Sequence, residues 1–150
     1  MGLTVLSRYL RRHRLVALDT SIFIYQLEAN ERYIHLANEV FTWLEKDDSR
    51  AVTSTLTMTE LLVGPYRNAD DQLVDEYFAL LSRFPNLAWI APDLEIADIA
   101  ARLRAQHRLR TPDALLAATA VRAGATGLIS NDSVFRRVPG IECLILDELL

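Results

Sequence analysis

Leu15-Val16-Ala17-Leu18-Asp19-Thr20-Ser21 is the stretch on which the fold turns. Four apolar residues bounded by polar ones are too few for a helix and read as a buried strand. The run stops at an aspartate followed by two hydroxyl residues. This is a helix start, with Thr20 or Ser21 available to cap it. A strand passing straight into a helix is half of a β-α unit, and the rest of the chain repeats the alternation. Ile34, Ala37, Val40, Phe41 and Leu44 recur at helical spacing up to Lys46-Asp47-Asp48. Arg50 to Thr55 is β-branched and weakly alternating, a second strand. Met58 to Tyr66 reads as helical as far as Gly64-Pro65, and Leu73 to Phe84 is helical again, with Asp70 and Asp71 at its start. Pro85-Asn86 breaks the pattern before a third strand, Leu87 to Ala91. Pro92 then opens a helix carrying Leu94, Ile96, Ala97, Ile99, Ala100 and Leu103.

Thr111-Pro112-Asp113 combines a capping hydroxyl, a proline at the first helical position and an acid in the first turn. The helix it opens, Ala114 to Ala123, is almost wholly apolar and must be buried; Gly124 stops it. Thr126 to Ser130 is a fourth strand, Asn131-Asp132-Ser133 starts a short helical turn, and Cys143 to Leu146 is a last strand. Strands alternating with helices predict an α/β fold: a central parallel sheet between helix layers, a three-layer α/β/α sandwich.

Size and composition bound the rest. The 150 residues fit one domain, and an apolar fraction of 51% is ample for a packed core. No apolar run approaches the roughly 20 residues of a membrane helix. Met1 to Arg14 carries Arg8, Arg11, Arg12 and Arg14 among Leu3, Leu6 and Leu10. That spacing is helical and lacks a signal-peptide core, so a cytoplasmic location is expected. The single cysteine, Cys143, excludes an internal disulfide and a Cys-rich zinc site; within Cys143-Leu144-Ile145-Leu146 it reads as a buried, inert thiol. His13, His35 and His107 are scattered and lack metal-ligand spacing.

Four acids have positions that invite chemistry. In parallel α/β sheets, sites form at the carboxyl ends of the strands. Asp19 closes the first strand, Asp132 follows the fourth by one residue, and Asp113 opens the buried helix just before that fourth strand. Glu60 lies on the flank of its helix shared with Thr57 and Gly64, away from Met58, Leu61, Leu62 and Pro65. Each acid alone has an ordinary structural explanation as a cap, a turn former, a helix-dipole partner or a solvated residue. Together they would repel and raise one another's pKa unless a cation lay between them. All-oxygen ligation selects hard ions such as Mg²⁺ or Mn²⁺. The same four acids account for the whole net charge of −4, so the remaining surface is neutral.

Rival phosphate chemistries lack their residues. A haloacid-dehalogenase phosphatase needs a second aspartate where Ser21 stands, and both it and a receiver domain need a late lysine; Lys46 is the only lysine. There is no Gly-Lys pair for a P-loop and no Gly-x-Ser-x-Gly for a serine hydrolase. What survives is metal-assisted phosphoryl chemistry without a lysine or histidine. Phosphate binding would fall to arginines near the acids. Arg102, Arg104, Arg108 and Arg110 run up to Asp113, and Arg136 with Arg137 follow Asp132; Arg110 and Arg136 are the first candidates. For any one of them a solvated basic face is the simpler explanation, and it is the position of the cluster beside two of the acids that singles it out.

Val16 to Ser21, Thr57-Met58-Thr59-Glu60-Leu61-Leu62-Val63-Gly64-Pro65, Thr111 to Ala120 and Leu128-Ile129-Ser130-Asn131-Asp132-Ser133-Val134-Phe135 together resemble the PIN domain. Within that family they resemble most the VapC-type toxin ribonucleases of toxin–antitoxin pairs. The resemblance assigns residues 15–150 to a PIN-like nuclease domain and leaves 1–14 as an N-terminal extension. That extension is an extra helix, a dimer contact, an RNA-binding arm or a mis-assigned start. By resemblance, Asp19, Glu60, Asp113 and Asp132 are the metal-binding and catalytic acids, with Thr20, Ser21, Ser130 and Asn131 supporting them. It further implies a Mg²⁺- or Mn²⁺-dependent endoribonuclease, a homodimer, and a small antitoxin that blocks the site by inserting an arginine among the carboxylates. Leu73, Tyr77, Leu80, Leu81 and Phe84 have the spacing of a partner-binding helix face or of core. A housekeeping RNA-processing nuclease and a catalytically silent RNA- or protein-binding module are the alternatives.

Overall fold

A computed structural model describes residues 1–150. In chain order the elements are α1 (Gly2–Arg12), β1 (Leu15–Leu18), α2 (Thr20–Leu27), α3 (Ile34–Leu44), β2 (Arg50–Ser54), α4 (Thr55–Arg67) and α5 (Asp71–Ser82). Then come β3 (Leu87–Ile90), α6 (Leu94–His107), α7 (Thr111–Ala123), β4 (Gly127–Ser130) and β5 (Glu142–Ile145), with 3₁₀ turns at Ser133–Arg137 and Leu146–Leu149. The five strands form one wholly parallel sheet in the order β3-β2-β1-β4-β5. The chain winds outward from β1 to β3, then jumps back across β1 to lay down β4 and β5. In parallel sheets, a switch of this kind, here between β1 and β4, is where binding sites form at the carboxyl ends of the strands.

Alternating strand residues feed two cores. Val16, Leu18, Ala51 and Ile129 pack with α1 to α5, whereas Ala17, Val52 and Leu128 pack with α6 and α7. This is the expected three-layer sandwich. The helix α7 lies close to the sheet because its buried face is small: Ala114, Ala117, Ala118 and Ala120 are all fully buried. Its one buried hydroxyl, on Thr119, is satisfied by the Leu115 carbonyl at 2.7 Å.

The segment before β1 is a helix that belongs to the core. Leu6, Tyr9 and Leu10 of α1 are buried against α3 and the C-terminal 3₁₀ turn. The Tyr9 hydroxyl donates to the Glu142 carbonyl at 2.7 Å. It passes so close to β4 that a Cβ on Gly127 would lie 2.2 Å from it. Only glycine fits there.

Local boundaries differ from the sequence reading in instructive ways. The cap of α2 is Asp19 itself, whose Oδ1 accepts from the Thr20 amide at 2.8 Å, because the helix follows β1 with no intervening loop. The expected Thr111 cap is instead the first residue of α7; Arg110 occupies the cap position and lends no side-chain bond. The helix α4 runs through Gly64-Pro65 to Arg67. Pro65 gives up the bond its missing N–H would make to the Leu61 carbonyl, and the helix nonetheless continues with Pro65 itself buried. The helix α6 is opened by Asp93, which accepts from the Ile96 amide at 2.8 Å, rather than by Pro92. Cys143 is half-buried on β5, and burial pushes its thiol up to about 11, so it stays protonated. No helix is long and apolar enough to cross a membrane.

Candidate active site

The centre of the candidate site is the gap between the ends of β1 and β4. Asp19 leaves β1 half-buried, and both its oxygens are already engaged. Oδ1 takes the Thr20 amide, and Oδ2 takes the Ser130 hydroxyl at 2.7 Å. Ser130 is the fully buried last residue of β4, and its oxygen also accepts from the Asp132 amide at 2.9 Å. One serine thus fixes two acids. Asp132 in turn caps the following 3₁₀ turn, accepting from the Val134 amide at 3.0 Å.

Glu60 reaches the site through a chain of hydroxyls. Thr20 Oγ1 donates to Glu60 Oε1 at 3.1 Å and lies 3.1 Å from Thr57 Oγ1, which is 3.0 Å from Thr53 Oγ1. Thr53 donates to the Leu18 carbonyl at 2.9 Å. Thr20, Thr53 and Thr57 are buried, so their hydroxyls need these partners. Sequence reasoning misses Thr53 and Thr57 as site residues. Thr57 shares the helix flank of Glu60, but Thr53 reads only as a β-branched strand residue.

Asp113 sits half-buried in the first turn of α7. Burial raises its pKa, the charges of Asp132 and Asp19 raise it further, and Arg110 opposes them. Burial likewise raises Asp19, outweighing the Ser130 and Thr20 hydrogen bonds, and Glu60 and Asp132 add to the rise. All four acids therefore share one electrostatic neighbourhood. In this arrangement no three acid, histidine or cysteine side chains already stand in metal-binding geometry. The donors fit a hard divalent cation by chemistry and charge; a preformed cage is absent.

The other expected site residues divide. Arg110 makes no ion pair and lies close enough to act on Asp113. Arg136 turns to Glu148 instead, gripping both carboxylate oxygens. Ser21 touches none of the acids, and its hydroxyl is buried without a partner. Asn131 faces away from them: it donates to the Tyr25 hydroxyl at 2.9 Å and accepts the Asp147 amide at 2.8 Å. It ties the end of β4 to α2 and to the C-terminal turn. Tyr33, stacked on Tyr25 with ring centroids 4.4 Å apart, donates to Asp147 at 2.7 Å and completes the brace.

A doubly flanked parallel sheet with acids gathered at its central carboxyl edge defines an α/β domain whose candidate site lies at the strand ends. The chain belongs to the PIN domain family, whose model matches residues 16–141. No curated protein matches it. Among solved structures, the chain is similar to VapBC-1 from nontypeable Haemophilus influenzae, with 23% identity and a TM-score of 0.67 over 89% of this chain and 98% of that one. A toxin–antitoxin complex from Klebsiella pneumoniae shares 23% identity with a TM-score of 0.63, covering 87% and 97%. VapBC2 from Rickettsia felis, bound to a DNA fragment from its promoter, shares 17% with a TM-score of 0.62, covering 87% and 98%. At these identities the likeness is one of fold.

Proposed function

We propose that the protein is a divalent-metal-dependent endoribonuclease and the toxin of a VapBC-type pair, with Asp19, Glu60, Asp113 and Asp132 as its catalytic acids. The observation that carries this reading is the mutual charge coupling of Asp19 and Asp113 with Asp132, at the switch point of a PIN-family sheet. Carboxylates gathered where burial and repulsion both oppose their charge are arranged for a cation. Asp19 and Asp113 would hold Mg²⁺ or Mn²⁺ directly, and Glu60 and Asp132 would complete the ligand set or orient the attacking water. A cation bound there supplies Lewis acidity, making water more acidic and offsetting charge on the phosphoryl oxygens. Ser130 and Thr20, which donate to Asp19 and Glu60, would orient those carboxylates toward a bound cation. Arg110 offers a positive charge to the phosphodiester at the rim. In-line attack by water leaves a 5′-phosphate and a 3′-hydroxyl.

An antitoxin partner and a homodimer belong to the same reading. They are supported by the solved toxin–antitoxin complexes that share the fold and by exposed apolar side chains on α4 and α5. Tyr66, Phe78 and Leu80 are each more than half exposed. Of the helix face read from the sequence, Leu81 is core and Leu80 faces out.

The test is cleavage of a mixed RNA pool by the purified protein and by Asp19→Asn, each with Mg²⁺, Mn²⁺ and chelator. Metal-dependent cutting that Asp19→Asn abolishes is expected. Cutting that survives chelation, or ends carrying a cyclic phosphate, would overturn the mechanism. No cutting under any metal would favour the silent binding module.

A further inference from the structure

The segments that carry Asp113 and Asp132 also carry arginines at their far ends. Residues 108–110 lead into α7, and the 3₁₀ turn Ser133–Arg137 leads away from Asp132. At one end of this pair of segments, the charges of Asp113 and Asp132 act on each other. At the other end, Arg137 donates to the Arg108 carbonyl at 3.2 Å. Arg104 donates to the next carbonyl, that of Leu109, at 3.1 Å. Two guanidinium groups are therefore pinned to successive carbonyls of one short loop. Arg108 itself ends α6 in the left-handed conformation, with φ 58° and ψ 38°, and its side chain is exposed. An open pocket of about 470 Å³ lies among Gln106, His107, Arg108 and Arg137, and no carboxylate lines it.

Arg102 on the same helix pairs with Asp98, and Arg136, next to Arg137, pairs with Glu148. Arg104, Arg108 and Arg137 pair with no acid, and the first and last are bonded to the loop that Arg108 begins. Like charges held side by side repel, and an anion is what relieves them. Guanidinium forks match phosphate oxygens in shape as well as charge. A 3₁₀ turn rises about 2 Å per residue, so Arg137 stands on the order of 10 Å from Asp132, within reach of one strand crossing the acids.

We propose that Arg104, Arg108 and Arg137 form a shelf that binds a backbone phosphate of single-stranded RNA flanking the cleaved bond, with Arg110 between shelf and acids. The inference rests on the ribonuclease reading and deepens it. It makes Arg137, which the sequence left beside Arg136, the arginine of that pair that meets substrate.

The experiment uses fluorescent single-stranded RNA and the full chain carrying Asp19→Asn, titrated over a series of salt concentrations. In that background the pair Arg108→Gln with Arg137→Gln should weaken binding several-fold at low salt. The slope of log K against log salt should fall by about 0.7 for each phosphate that is no longer neutralised. Arg137→Lys should restore most of the slope, and Arg122→Gln, which removes an arginine paired with Glu95, should change neither quantity. If the double variant does not fold by circular dichroism, Arg137→Gln alone serves the same comparison. Folded variants that bind like their parent across the whole series overturn the shelf. Metal-dependent cutting of the same RNA by the unmodified protein, together with that result, would leave the ribonuclease reading standing. A protein that neither binds nor cuts RNA removes both.

Discussion

Ser130 is the residue on which the candidate site depends most. It is buried, donates to Asp19 and accepts from the Asp132 amide. Ser130→Ala should cost about 1–3 kcal/mol of stability, because it removes a buried hydroxyl's hydrogen bond to a charged group. Partners that orient metal-binding residues typically govern affinity or activity by about 10- to 100-fold, so on the proposed ribonuclease reading RNA cleavage should fall by that order. Denaturant melts and cleavage rates check the two parts separately. Ser21→Ala should leave stability almost untouched, since the hydroxyl removed has no partner. Asp113 gives the opposite sign. Its folded-state pKa is raised by burial and by Asp132 and Asp19. The folded chain thus holds this proton more tightly than the unfolded chain does. Its contribution to stability is greatest in acid, below the unfolded pKa, and is lost as pH rises through the raised value. In the absence of metal, Asp113→Asn should therefore melt a few degrees above the unmodified protein at neutral pH. That advantage should shrink on acidification. A variant that melts lower at neutral pH in chelator would show that Asp113 is not electrostatically strained.

Among the elements, α1 carries the clearest energetic consequence. Leu6 is completely buried between α1 and the main core, so Leu6→Ala should destabilise by about 2–5 kcal/mol. Gly127→Ala should cost at least about 1–3 kcal/mol, the usual range for overpacking, because the added methyl meets the buried Tyr9 hydroxyl. Urea melts of both variants test whether α1 folds with the domain or merely rests on it; unchanged midpoints would indicate the latter. The sequence showed α1 as a helix through Leu3, Leu6 and Leu10, yet left its role open. Its burial depends on Tyr9 meeting a glycine more than a hundred residues away, and no local pattern encodes that meeting. Helix boundaries differ from their sequence reading for a related reason. Capping at Asp19 and the passage of α4 through Pro65 reflect what the ends of those helices touch.

Across the whole molecule, the acids concentrate repulsion at one edge of the sheet while the arginine shelf beside them lacks counter-charges. A divalent cation should relieve the first. Adding Mg²⁺ or Mn²⁺ should raise the melting temperature at neutral pH, with about 2.7 kcal/mol of stabilisation at a hundredfold excess over Kd. The effect should be lost in chelator and much reduced in Asp19→Asn. A cation response that is identical in Asp19→Asn would locate binding elsewhere.

By itself the sequence determined the alternation of strands and helices, hence the parallel three-layer sheet, and the acids at its carboxyl edge. These follow from apolar periodicity and from where strands end, which neighbouring residues decide. The tertiary structure decided which supporting groups serve those acids. Thr20 and Ser130 reach them, whereas Ser21 and Asn131 do not. It also turned Arg136 toward Glu148 and set Arg137 on the Arg108 carbonyl. Such choices depend on how side chains from segments distant in sequence meet across the switch between β1 and β4, and that geometry exists only once the sheet has closed around it.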